Sequence, residues 1–167
     1  MTTVALDPSI ATALRFRWNG GQSGRLIMTI APEGAAAKAW ETSDPIVRRI
    51  VLAFFNVGQW DDVLYLTDAI HDVRSFGTDM RAVYFDRGED GVSETPLFVI
   101  FRIEDASDNA LCIETPAFVA LAARWLAELR DGAQLNNDAI TGAAWWPEWA
   151  RKVDDIVRMA GDAAEAA

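Results

Sequence analysis

Polar and apolar residues alternate with a period of two where the chain reads "ATALRFRW": Leu14, Phe16 and Trp18 stand against Ala13, Arg15 and Arg17, the pattern of a half-buried strand. "NGGQSG" follows. Both central residues of a tight Asn-Gly turn tolerate positive φ, so "RLIMTI" is expected to return as the partner strand of an opening hairpin. The period then becomes helical. Ser43 or Asp44 caps a helix with Pro45 in its first turn, and Ile46, Val47, Ile50, Val51, Phe54 and Phe55 fill one broad face while Arg48 and Arg49 point away. That helix is expected to reach about Val57 and to stop at a left-handed Gly58. Val63, Leu66, Ile70 and Val73, at offsets 0, 3, 7 and 10, suggest a second helix from about Asp61, although "VLYL" alone would also suit a strand.

Residues 81–114 read as a three-strand meander, "RAVYFD", "TPLFVIFRI" and "NALCIE", joined by the turn sequences "RGEDG" and "EDASD". Leu97 to Phe101 are apolar without alternation, so the middle strand is expected to be central in its sheet and covered on both faces. Thr115 and Pro116 then open a helix lined by Phe118, Val119, Ala122, Trp125, Leu126 and Leu129, with Gly132 as its expected end. A last helix, from near Trp146 to about Ala160, tolerates Pro147 in its first turn and turns Trp149, Val153 and Ile156 to the core. Trp145 and Trp146 cannot both share that face, so one of them is expected to be exposed or to cover a sheet edge. The sum is one α+β domain over 1–167: a mainly antiparallel sheet of about five strands, hairpin plus meander, packed with about four helices, and loose at 1–8 and 161–167.

Length and composition fit that picture. The chain has 167 residues, 51% of them hydrophobic and 24% charged, enough for one buried core and far from the composition of a disordered chain. Its apolar runs are too short or too interrupted to cross a bilayer, and its start lacks the basic and apolar regions of an export signal. Cys112 is the only cysteine, which rules out a disulfide within the chain and makes the cytoplasm the expected compartment.

Charge changes the picture more. Against 25 Asp and Glu stand 15 Lys and Arg, a net charge of -10, so phosphate backbones and anionic lipid are repelled and neither nucleic acid nor membrane is an expected partner. Between residues 86 and 114 lie Asp86, Glu89, Asp90, Glu94, Glu104, Asp105, Asp108 and Glu114 against only Arg87 and Arg102, a local charge of -6.

Positive signs of catalysis are few. One histidine, His71, and one cysteine do not make the three or four ligands a stable transition-metal site wants, so no metal or other cofactor is expected. Asp68, His71 and Asp72 share one helical face, most simply as a surface cluster. "DRGEDGVSETPL" has Asp86, Asp90 and Gly91 in calcium-loop spacing, but Leu97 stands where a bidentate Glu is required and Gly88 at a ligand position, so an acidic turn is the better reading. "GQSGR" puts Arg25 in place of the second glycine of a nucleophile elbow around Ser23. Cys112 reads as an apolar strand residue with Asp108 and Glu114 nearby, the wrong setting for a reactive thiolate.

The class that fits is a binder. Small acidic immunity proteins and nuclease inhibitors share this profile, and the expected function is to neutralise a basic partner, such as a toxin, by occluding its active site. Asp86, Glu89, Asp90, Glu94, Glu104, Asp105 and Asp108 are the expected contact residues, with Trp145 and Trp146 as a second surface. The alternatives are a small hydrolase-like enzyme with a carboxylate-lined pocket that also uses Arg15, Arg17 or His71, and an assembly subunit joined through the paired tryptophans or a sheet edge.

Overall fold

A computed structural model describes residues 2–18, 26–78, 80–85, 98–104, 108–136 and 138–166, with the side chains of all but Phe98, Asp138 and 163–166. Among them the strands are β1 (Thr2–Ala5), β2 (Leu14–Trp18), β3 (Met28–Pro32), β4 (Phe76–Gly77), β5 (Arg81–Phe85), β6 (Phe98–Ile103) and β7 (Asn109–Glu114). The helices are α1 (Pro8–Ala13), α2 (Ala36–Thr42), α3 (Pro45–Phe55), α4 (Trp60–His71), α5 (Thr115–Asn136), α6 (Asp138–Thr141) and α7 (Trp146–Ala166).

The α+β class holds, but the sheet is mixed and the hairpin is not part of it. β2 and β3 pair antiparallel as a separate ribbon, Arg15 opposite Ala31 and Arg17 opposite Thr29, with Leu14, Phe16 and Trp18 inward as their alternation requires. The larger sheet runs β1-β7-β6-β5-β4, antiparallel except that β1 lies parallel to β7. The residues expected to be loose at the start thus form an edge strand. Thr2, Thr3 and Val4 are β-branched, which suits a strand, but their partner lies more than a hundred residues away and no local pattern announces it. At the other end α7 continues to Ala166 rather than stopping near Ala160.

α3 and α5 lie between sheet and ribbon. Phe55 of α3 meets Phe101 of β6 on one side and Phe16 of β2 on the other, with ring centroids 6.3 and 5.2 Å apart, and Trp125 of α5 closes on the same ring at 5.3 Å. One face of the sheet, carrying Val83, Val99, Phe101 and Leu111, is fully buried against these helices. β6 is central, as its composition suggested. It is not covered equally on both faces: Ile100 and Arg102 are half-buried and Tyr84 beside them is 43% exposed.

Two glycines behave differently from expectation. α5 passes through Gly132, where an added Cβ would stand 2.5 Å from Cε3 of Trp18, so the glycine lets that indole lie against the helix and does not end it. α3 stops at Phe55, ahead of Gly58. Its last turn is capped in part by Asn56, whose amide donates to the Leu52 carbonyl (2.7 Å) and accepts from the Met28 N–H (2.6 Å). Its start is as expected, with Asp44 accepting from the Ile46 N–H ahead of Pro45.

Candidate functional site

The tryptophans of α7 fold onto α4. Trp149 is 3% exposed, and its Nε1–H donates to Thr67 Oγ1 at 2.9 Å, while that hydroxyl donates to the Val63 carbonyl at 2.7 Å. Trp60, at the start of α4, meets Trp149, Trp145 and Trp146 at 5.2, 5.5 and 6.2 Å, so the four indoles of α4 and the α7 region form one cluster, which Trp18 of β2 meets at Trp60 (6.3 Å). Trp146 is buried (7% exposed) and Trp145 half-buried, so of the two only Trp145 reaches the surface. Trp60 receives both, which relieves the conflict of faces that their adjacency implied.

Beside this cluster α4 and α7 are joined by charge. The ring of His71 reaches Asp72 Oδ1 through Nδ1 (3.0 Å) and Asp155 Oδ2 through Nε2 (2.9 Å), and Arg151 and Arg158 flank Asp155 at 3.0 and 3.2 Å. Ionised carboxylates only accept, so both hydrogen bonds are made at once only by the protonated ring, in which both nitrogens donate. The hydrogen bond to Asp72, then that to Asp155, raises the His71 pKa above the ordinary value of 6.5, and the same bonds hold both carboxylates below theirs. A raised histidine contributes stability that is full below 6.5 and lost as pH rises through the folded pKa, whereas the depressed carboxylates lose theirs as pH falls through their folded values. We expect stability to decline above pH 6.5, and His71→Gln to flatten that decline. With one histidine, a proton NMR titration reads the site directly; a midpoint at or below 6.5 would show that the two bonds do not persist in solution.

Further along the seam Lys152 Nζ lies 2.6 Å from Asp68 and 3.7 Å from Glu148. With Leu64, Trp145 and Trp149 these three line a cleft of about 130 Å³.

The expected acidic contact residues are placed only in part. Asp86, Glu89, Asp90, Glu94 and Asp105 lie outside the described residues, as do the Asn19–Gly20 turn, Ser23 and Arg25. Glu104 and Asp108 flank the β6–β7 turn, with Asp108 in the left-handed region at φ 60°, which aspartate tolerates. Phe85 and Phe98, between which Asp86 to Glu94 fall in the sequence, sit at the opposite end of the six-residue strand β6, about 17–20 Å away. The antiparallel meander therefore separates Glu104 and Asp108 from the strand ends that flank the other acidic group.

The remaining candidates sit apart. Arg15 and Arg17 line an open groove on the ribbon with Glu33 and Glu128; Arg15 pairs with Glu33 at 3.4 Å, and Glu128 accepts from the Trp18 N–H. Cys112 is half-buried in β7, and burial pushes its thiol pKa up. Among the described residues no group of three or more His, Cys, Asp or Glu is placed to hold a metal ion, and no helix is long and apolar enough to cross a membrane. No family model matches the chain, and no curated protein or solved structure matches it.

Proposed function

We propose that the protein is a non-catalytic binder, an acidic immunity protein or inhibitor that works in the cytoplasm and neutralises a basic partner, such as a toxin or nuclease, by covering its active site. The observation that carries this reading is how the chain's best candidates for chemistry are employed. His71 is engaged through both ring nitrogens by carboxylates that tie α4 to α7, which leaves neither nitrogen free to take a proton from a substrate. Burial pushes the Cys112 thiol pKa up, which disfavours the nucleophilic thiolate. What is left for function is the charge of -10, which steers a cationic partner and speeds its approach.

The test is a capture from the native cell, followed by association kinetics with the captured protein. The on-rate is expected to fall steeply as salt rises from low to physiological strength. Because Glu104 and the strand ends flanking Glu89 and Asp90 lie at opposite ends of β6, the double reversals E104K/D105K and E89K/D90K are measured separately. One of them is expected to slow association while stability changes by no more than about 1 kcal/mol. An association rate indifferent to salt and to both reversals overturns the reading.

A further inference from the structure

We propose that the cleft between α4 and α7 is a seat for a guanidinium group, an arginine side chain presented by the basic partner; this rests on the binder reading and gives it a place on the molecule. Trp145 and Trp149 meet at 85° with centroids 6.2 Å apart, so they form a corner, and half-buried Trp145 lines the opening. Asp68 of α4 and Glu148 of α7 line the same cleft, their side chains 38% and 70% exposed. The two carboxylates already converge on a cation, because the ammonium of Lys152 lies within 4 Å of both. Two negative charges against one positive leave the cleft with an unmatched charge of about -1, open to a second cation.

Size and shape select its head group. About 130 Å³ is well short of the roughly 300 Å³ at which small-molecule pockets begin, yet it is several water volumes, room for a planar side-chain head. Indole faces attract cations, and a guanidinium both stacks on them and binds carboxylates bidentately, whereas an ammonium is a compact, strongly hydrated point charge. Arginine is therefore favoured over lysine.

The probe is N-acetyl-arginine methylamide, titrated into the intact protein while the tryptophan indole N–H signals are followed by NMR, with the lysine analogue as control. The Trp145 signal is expected to shift with saturation, and the lysine analogue to bind several-fold more weakly. Glu148→Gln, at a largely exposed position, should weaken the arginine probe about three- to tenfold, and Lys152→Met, which removes the resident cation, should tighten it. Equal affinity for both probes, shifts that never saturate, or indifference to Glu148→Gln overturns the proposal. If these fail while partner association stays salt-dependent, the binder reading survives without this cleft. If the probe seats as expected while partner association ignores salt, the binder reading falls and the cleft stands alone.

Discussion

Replacing Trp149 with alanine is expected to destabilise the protein by about 3–5 kcal/mol, the usual cost of emptying an aromatic site that the surroundings cannot refill. Two features of the site push toward the upper part of that range. The indole touches Trp60, Trp145 and Trp146, so its loss removes three aromatic contacts as well as its own burial. Its N–H also supplies the donor for Thr67 Oγ1, a hydroxyl with no exposure at all. For a domain of this size such a loss lowers the melting temperature by about 6–20 °C. Thr67→Val keeps the shape but strands the indole N–H, so it isolates the hydrogen bond and should cost about 1–3 kcal/mol. A melting temperature unchanged in Trp149→Ala would mean that the four-indole cluster does not hold α7 against α4.

Such local signals made much of the fold legible in the sequence. Val63, Leu66 and Ile70 are buried on one face of α4, and the last helix turns Trp149, Val153 and Ile156 inward, because helical periodicity reports a buried face directly. Within the described residues the three meander strands fall where their composition puts them. What was not legible is non-local. The pairing of Thr2–Ala5 with β7 depends on an edge that only the finished sheet creates. The hairpin satisfies its own ladder and docks through Phe16 and Trp18 onto helices, so nothing in its alternation says whether it joins the larger sheet. α2 has small residues, Ala36, Ala37 and Ala39, in place of an apolar stripe, with Trp40 as its one buried anchor.

The candidate site divides along the same line. Asp68, His71 and Asp72 were legible as neighbours on one helix, but the ligation of His71 by Asp155 and of Asp68 by Lys152 spans 84 residues and follows only from α7 lying along α4. Trp60 carried no pattern of its own at the start of its helix, and it is the residue that receives the Trp145–Trp146 pair, burying Trp146 and leaving Trp145 half-buried.

Arg81 is the clearest case of a role hidden from pattern, and its replacement should have the second-largest effect. At the start of β5 it reads as a polar strand residue, yet its guanidinium donates to the carbonyls of Ala53, Phe54 and Asn56, each at 2.9 Å. These lie at the C-terminus of α3, where carbonyls have no partner within the helix and where a positive charge meets the negative end of the helix dipole. Burial lowers the Arg81 pKa somewhat, but an arginine stays charged regardless. Arg81→Met keeps the apolar stem and removes all three donors, leaving the carbonyls to whatever water can reach them. Hydrogen bonds to a charged group are worth about 1.5–3 kcal/mol each and are not additive, so an overall loss of about 2–4 kcal/mol by denaturant unfolding is expected. Arg81→Lys provides the control, since an ammonium keeps the charge at the helix end but cannot match the planar fork across three acceptors; it should recover only part of the loss. Equal stability of the Met and Lys variants would assign the whole effect to hydrogen-bond geometry and none to charge. A loss below about 0.5 kcal/mol in both would mean that water replaces the guanidinium at no cost, and that Asn56 alone is enough to end α3.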